Sequence, residues 1–310
     1  MRKSYKLFIF AFLSLIIGVT LSVALGSASI WDQNILLTLR LPRTITGIAV
    51  GGGLAVTGTA IQAVLMNPLA DPYIMGIASA GALGAVIGSL FHNVNPFWGS
   101  ISLSFTFSLA SLFILVLWLR SGFQNTRELL LAGVVAGFFF SSLSTLVMAM
   151  ADPAAWTTSL SWLLGSLGHI GLEQSLIALF ANVVLAIIIW FHSKPLDILS
   201  IDQELALSSG IDIEAVRKRV FILTALTTAI CVSVAGVIGF VGLLVPHAFR
   251  FLGASSQRLL IPLCFIGGAG LLTASDAVAR VIARPSEIPV GVVMSLVGGP
   301  IFIFMIKRFR

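Results

Sequence analysis

The chain has 310 residues, 58% hydrophobic and only 10% charged, with a net charge of +6 at neutral pH. Soluble domains are roughly 25% charged, so this composition excludes an ordinary soluble protein and predicts a chain that crosses a membrane several times. Its apolar runs are continuous rather than alternating, which indicates helices and not a β-barrel. No basic cluster is interleaved with aromatic residues, so we expect no nucleic-acid partner.

The chain begins with three basic residues before Leu7, followed by an apolar run over residues 7–25. This run is longer than the 7–15 residues of a signal peptide, and we interpret it as a retained first span. Nine more spans are predicted, so the fold class is an all-α polytopic membrane protein with about ten transmembrane helices in a single domain over residues 1–310. They cover about 44–65, 74–91, 98–119, 128–150, 171–192, 219–240, a short one at 243–252, 259–282 and 289–306.

The distribution of lysine and arginine tests this topology. An even number of spans places both termini on one side, and cytoplasmic loops are enriched in these cations. Ten spans put fourteen of the eighteen on the side of the termini, including Arg120 and Arg310, and four on the other: Arg40, Arg43, Arg280 and Arg284. We therefore predict a multi-pass protein of a prokaryotic inner membrane with both termini in the cytoplasm.

The second span follows an unusual sequence, LRLPR, at its outer end. Arg40 and Arg43 lie there against the positive-inside trend, and Pro42 stiffens the turn before the helix. One interpretation is that the two side chains extend to lipid headgroups. The other is an arginine clamp for carboxylates of an external partner, since the planar guanidinium suits that role.

The second span ends in a proline-pinned turn on the cytoplasmic side. Asn67 opens this turn and Leu69 follows, while Gln62 lies one helical turn earlier at membrane depth. Buried amides need partners, so Gln62 and Asn67 are expected to face protein or a water-filled path.

The fifth span is hydroxyl-rich and carries no charge between Glu128 and Asp152. Such a span could line a weakly polar path for a bulky cargo, although the hydroxyls could equally bond their own helix backbone. These candidate path residues are Ser141, Ser142, Ser144 and Thr145.

The longest polar stretch, residues 194–219, carries nine of the thirty charged residues. Ser200 and Gln203 fit a capping box for a short helix, and Gly210 suits the left-handed residue that ends one. A second short helix is predicted from Asp212 to the cations at residues 217–219. Two short helices outside the bilayer form a surface on which a partner could dock, and an ordinary loop is the alternative.

Few residues offer chemistry. The sequence GLAVTGT lacks the lysine of a phosphate-binding loop. The histidines are widely separated along the chain, at His92, His169, His192 and His247. We therefore expect no catalytic residues, no metal site and no cofactor on this chain. Asp276 and Arg280 are four residues apart and can pair on one helix face. An uncompensated Asp276 would instead favour a secondary transporter driven by an ion gradient. A polytopic enzyme would need clustered catalytic residues.

Three motifs, in this order, resemble the FecCD-type permeases, the membrane subunits of ABC importers for iron-siderophores, haem and cobalamin. They are LRLPRTITGIAVGGGLAVTGTAIQAVLMNPLADPYIMG, VIGFVGLLVPHAFR and SDAVARVIARPSEIPVGVVMSLVGGPIFI. The resemblance covers about residues 35–306. It implies a type II ABC importer permease that carries a metal chelate into the cytoplasm, and an oxyanion importer of the same type is an alternative.

The resemblance also implies partners and site residues. It implies a second permease subunit, a cytoplasmic ATPase dimer that binds ATP and magnesium, and an extracytoplasmic binding protein whose acidic residues meet Arg40, Arg43 and Arg280. Asn67 and Leu69 match the cytoplasmic gate, and the fifth-span hydroxyls fall near the outer gate. The stretch 194–219 resembles the coupling loop, centred on Glu204, Leu205, Ala206, Leu207, Ser208, Ser209, Gly210 and Ile211.

Overall fold

The structure is a computed structural model that describes residues 2–26, 33–90, 96–118, 126–151, 153–168, 170–284 and 286–308. Every regular element within those ranges is helical. His92, His169, Arg120, Asp152 and Arg310, and the predicted span ends at residues 91 and 119, lie outside the described residues.

Fourteen α-helices are found in the described ranges. A π-helical turn, Leu36–Arg40, precedes the third, and a 3-10 turn, Pro72–Met75, precedes the fourth. The helices are α1 (Arg2–Ala24), α2 (Gln33–Ile35), α3 (Leu41–Val64), α4 (Ile77–Ser89), α5 (Pro96–Trp118), α6 (Thr126–Ala149), α7 (Pro153–Leu164), α8 (Leu172–Phe191), α9 (Ser193–Ile201), α10 (Gln203–Ser208), α11 (Ile213–Ala235), α12 (Val241–Phe251), α13 (Gln257–Ile282) and α14 (Val290–Arg308).

The predicted all-α fold with about ten spans is confirmed. Seven helices are long and apolar enough to cross a bilayer, and α4, α12 and α14 contain shorter apolar segments. These seven long helices and three shorter ones correspond one to one to the ten predicted spans. Helix α7 was not predicted. Its 12 residues extend about 18 Å, too short to cross a bilayer.

Helix α3 is the centre of the bundle, and nearly all of its residues are buried. It packs against α8, α11, α12 and α13, and small residues let two of these backbones approach closely. A β-carbon on Gly58 would lie 2.0 Å from the Gly242 carbonyl oxygen, and one on Gly51 would lie 2.3 Å from the Gly268 carbonyl oxygen. These glycines therefore set how near α12 and α13 lie to α3.

The polar stretch folds differently from the capping-box prediction. Ser200 lies inside α9, and Asp202 caps α10 instead, because its carboxylate accepts hydrogen bonds from the backbone of Glu204 and Leu205. The prediction that a second short helix ends at residues 217–219 was also wrong. Asp212 caps α11, which continues to Ala235 because the apolar run extends the helix into the membrane.

We call α9, α10 and the connection to residue 211 the platform. Leu199, Ala206 and Ile213 form its small core. Gly210 has a φ of +73°, as predicted for the residue that ends a short helix. The backbone N–H of Ile211 donates to the Ala206 carbonyl at 3.0 Å, which turns the chain back toward α11.

Candidate functional site

The predicted outer arginines form a buried ionic cluster around Asp276. The Arg43 Nε lies 3.0 Å from both Asp276 carboxylate oxygens, and the Arg280 Nε lies 3.1 Å from one of them. Asp276 is only 1% exposed. The predicted i,i+4 pair is therefore present and has a second arginine partner, so Asp276 is charge-compensated.

The same arginines tie the first helix to the bundle. Arg280 donates to the Ser22 carbonyl and hydroxyl at 2.9 Å, and Arg40 donates to the Val23 carbonyl at 2.6 Å. Arg40 and Arg280 are 4% and 3% exposed. Hydrogen bonds from a guanidinium to carbonyls near the end of α1 satisfy groups that the helix itself leaves open. The docking role of Arg40 and Arg280 stays a prediction, and their buried contacts are structural.

Arg43 connects the buried cluster to the surface. Its Nη1 lies 2.7 Å from a carboxylate oxygen of Glu287, whose side chain is 40% exposed. The sequence analysis missed Glu287, although it stands in the third motif seven residues after Arg280. An external carboxylate meeting Arg43 would therefore compete with Glu287.

A cavity of about 700 Å³ lies beside the α3–α4 and α11–α12 connections, next to the end of α7 and the start of α14. Its lining includes Asp71, Leu164, Phe240, Gly291 and Ser295. None of these five residues was predicted as a path residue, because they come from four separate segments of the chain. The walls are mostly apolar, so the cavity suits a bulky cargo better than a bare ion.

Backbone N–H groups in the connections near this cavity are hydrogen-bonded within the protein. The Ser166 N–H donates to the Ala235 carbonyl at 2.9 Å, and the Ile238 N–H donates to the Tyr73 hydroxyl at 2.9 Å. Gly236 has a φ of +70°, and a β-carbon there would lie 2.1 Å from the Trp162 carbonyl oxygen. Irregular backbone between membrane helices is tolerated where it is satisfied in this way or lines a cavity.

The fifth-span hydroxyls do not line this cavity. Ser144 donates to the Phe140 carbonyl at 2.9 Å and Thr145 to the Ser141 carbonyl at 3.1 Å, both within α6. Ser141 and Ser142 are exposed. Apolar side chains of the same helix are also exposed, including Leu131, Phe138 and Phe139. A path lined by these hydroxyls would thus need a further surface opposite α6.

We call residues 65–71, which include the predicted gate residues Asn67 and Leu69, the gate loop, and side-chain amides hold its backbone. The Asn67 Oδ1 accepts from the Leu69 N–H at 2.9 Å, and Leu69 is 49% exposed. The Gln62 amide donates to the carbonyls of Ala70 at 3.3 Å and Gly242 at 3.1 Å. Gln62 faces protein, one of the two predicted surroundings, and joins the gate loop to the start of α12.

The gate loop also contacts the platform. The Gln203 amide lies 3.4 Å from the Met66 sulfur, across 137 residues of sequence. Met66 has a φ of +49°, an uncommon conformation for a residue other than glycine. Two of the predicted coupling residues, Leu205 and Leu207, are 45% and 63% exposed, whereas Ala206 is buried. The platform thus presents apolar side chains outward while its helix α10 touches the gate loop.

The comparisons with known proteins agree with this architecture. The model of the FecCD transport family matches residues 5–308. The chain belongs to the FecCD transport family.

Relatives of this FecCD-family chain are permeases. The vitamin B12 import system permease BtuC of Vibrio cholerae is 35% identical over 310 residues, covering 95% of this chain and 93% of that protein. The hemin transport system permease HmuU of Yersinia pestis is 33% identical over 308 residues, covering 93% and 90%. The FecCD-family chain is thus a multi-pass membrane permease of an ABC importer.

Solved structures support the same assignment. An inward-facing metal-chelate type ABC transporter matches with a TM-score of 0.88 at 29% identity, covering 98% of this chain and 99% of that one. The PsaBC complex of Streptococcus pneumoniae matches with a TM-score of 0.58 at 20% identity over 86% of this chain and 90% of that one, which shows a shared fold. The FecCD-family chain therefore has the type II ABC importer permease architecture.

A buried polar network in this FecCD-family chain extends from the platform to the gate loop. The Gln257 N–H donates to the Asp197 carboxylate at 2.6 Å, and the Thr59 hydroxyl donates to the Gln257 Oε1 at 2.9 Å. Arg250 then donates to Thr59 at 3.4 Å and to the Gln62 Oε1 at 2.5 Å. Sequence reasoning missed this network, although Arg250 ends the second motif.

Proposed function

We propose that this chain imports a metal chelate, such as cobalamin, haem or an iron-siderophore, as the permease of an ATP-driven importer in a prokaryotic inner membrane. The family and its B12 and hemin relatives support this cargo class. The mostly apolar cavity supports a bulky cargo held by many weak contacts. Both termini and the platform face the cytoplasm in this proposal, in agreement with the positive-inside distribution of lysine and arginine.

The coupling between ATP hydrolysis and the gate rests on one observation. The platform and the gate loop are joined twice, by the contact of Gln203 with Met66 and by the polar network through Thr59 and Arg250. A separate ATPase dimer that docks on Glu204–Ile211 would push on α10 and α9. Because both connections end at the gate loop, that movement would reach Asn67 and Leu69.

A second copy of the chain would complete the path. Helix α6 leaves large apolar side chains exposed, and Ser141 and Ser142 lie on the same helix. Opposing α6 helices across a twofold axis would bury these apolar side chains and place the hydroxyls near the path. We therefore retain Ser141, Ser142, Ser144 and Thr145 as path residues of the dimer.

The extracytoplasmic binding protein would dock around Arg43. Arg43 bonds an exposed carboxylate, and its bond to Glu287 supplies the exchange that docking would need. An acidic residue of the binding protein would replace Glu287 at Arg43, while Arg40 and Arg280 keep the supporting helices in place. The variant Glu287→Gln removes the competitor, so we expect it to tighten binding of the binding protein to the lipid-reconstituted permease.

The test of the proposed function is affinity purification of the tagged chain from mild detergent. We expect a stoichiometric ATPase, which is lost in Leu207→Asp. Leu252→Asp is the matched control, because Leu252 is also exposed and apolar but lies outside the platform. Equal loss in both variants would reject docking on Glu204–Ile211. Cargo uptake into vesicles that hold this chain without ATP would overturn the importer proposal and favour an ion-driven transporter.

A further inference from the structure

An apolar groove of about 760 Å³ runs between three helices on the outside of the bundle. Each helix contributes apolar side chains to its lining, for example Phe8 of α1, Ile187 of α8 and Ile266 of α13. The size lies within the range of about 300–1,000 Å³ that is usual for ligand clefts. Ile187 at its edge is 49% exposed, so a ligand can reach the groove from the outside of the bundle.

One end of the groove is polar, and two of its residues, Trp190 and Arg258, contact each other. The Trp190 indole N–H donates to the Arg258 carbonyl at 2.9 Å. The Arg258 guanidinium carbon lies 5.9 Å from the Trp190 ring centroid, a cation–π distance. Ser256 completes this end. The indole and the guanidinium are therefore held together where the apolar walls stop.

Charge at this end is uncompensated by protein. The lining contains no Asp or Glu, and no carboxylate within the described ranges pairs with Arg258, which is exposed. The polar end is on the platform side, because the neighbouring Gln257 N–H bonds Asp197 of α9. A basic group beside a groove between transmembrane helices on the cytoplasmic side is the arrangement that suits acidic lipid headgroups.

We propose that this groove binds one anionic phospholipid, with an acyl chain along the apolar walls and the phosphate at Arg258. A zwitterionic lipid would bring an ammonium group as well as a phosphate, and the lining offers no carboxylate to receive it. The bound lipid would join α8 to the first turn of α13, beside the junction of α13 with the platform.

The test is native mass spectrometry of the detergent-purified chain with added phosphatidylglycerol or phosphatidylcholine. We expect wild type to retain phosphatidylglycerol preferentially. Arg258→Gln should lower its retention about fivefold, the equivalent of one basic residue near an anionic surface. The matched control is Arg219→Gln, which removes an exposed arginine of the same side outside the groove. Ile187→Trp, which fills the groove from its exposed edge, should lower retention of both lipids.

Two results would overturn the proposal. One is equal retention of the two lipids by wild type. The other is an equal loss of phosphatidylglycerol in Arg219→Gln and Arg258→Gln, which would show a general effect of surface charge. Folding of each variant is checked by its unfolding temperature, and Arg258→Lys keeps the charge if the glutamine variant fails to fold. Retention by the lysine variant close to wild type would support an electrostatic contact.

Discussion

Thr59 is the middle of the polar network. Replacing it with valine breaks this connection between the platform and the gate loop and keeps the branched shape of the side chain, while the contact of Gln203 with Met66 stays. The Thr59 hydroxyl donates to Gln257 at 2.9 Å and accepts from Arg250 at 3.4 Å. Thr59 is 0% and Gln257 4% exposed. In the valine variant the side-chain Oε1 of Gln257 would therefore lose its donor in a buried site. An unsatisfied buried acceptor costs about 1–3 kcal/mol. Because each hydrogen bond between membrane helices contributes less free energy on average, we expect Thr59→Val to lower the free energy of unfolding by about 1–2 kcal/mol.

Thr57 is the matched control on the same helix. It is also fully buried, but its hydroxyl donates to the Gly53 and Leu54 carbonyls of α3 itself. A hydroxyl bonded to its own helix adds little, so Thr57→Val should cost less than about 0.5 kcal/mol.

The assay follows the reaction of the two buried cysteines, Cys231 and Cys264, with a fluorescent maleimide during denaturation of the purified chain. Both thiols are fully buried in the fold, so their labelling reports unfolding. In the reconstituted importer, Thr59→Val should also lower the cargo transported per ATP hydrolysed. Equal stability of the two valine variants would refute the energetic role of the network. Normal coupling in Thr59→Val would refute its mechanical role.

Three further predictions follow from single contacts. Gly58→Ala should destabilise the chain by about 1–3 kcal/mol, since its β-carbon would meet the backbone of Gly242. Gly239→Ala is the control, because a β-carbon there would meet no atom within 4 Å and should change stability little. Thermal unfolding compares the two variants. Asp276→Asn should cost about 3–5 kcal/mol by leaving the buried Arg280 without its carboxylate partner, while Arg43 keeps Glu287; a stable variant that has lost transport would instead favour ion coupling. Burial raises the pKa of the Asp71 carboxyl to about 6, so its protonated form favours the fold and stability should fall as pH rises from about 4 to 6. Asp71→Asn should flatten this dependence in thermal unfolding at several pH values, and an unchanged slope would contradict it.

Local patterns predicted more of the fold than of the site. The length of each apolar run predicted ten spans, and Gly210 was correctly expected to end a short helix. The capping prediction at Ser200 was wrong because Asp202 is a competing cap two residues later, and serine and aspartate are both residue types that cap helices. The end of α11 was misplaced for a related reason, since the cations at residues 217–219 suit a helix end as well as a helix that continues into the membrane.

The candidate site depended on contacts between distant segments. The sequence showed that Gln62 needed a partner at membrane depth, but its partners Gly242 and Arg250 lie about 180 residues away. It also predicted arginines on the outer side, and the burial of Arg43 and Arg280 around Asp276 was visible only once α3 and α13 were packed together.

The sequence by itself determined that the chain is a membrane protein, how often it crosses the bilayer and which family it resembles. These properties depend on apolar run length, charge distribution and contiguous motifs, and each can be read along a single stretch of chain. The tertiary structure decided which polar groups pair, where the helix interruptions meet to form a cavity and how the platform reaches the gate loop. Those features depend on the close approach of helices, which small residues such as Gly58 permit but whose partners no local pattern specifies.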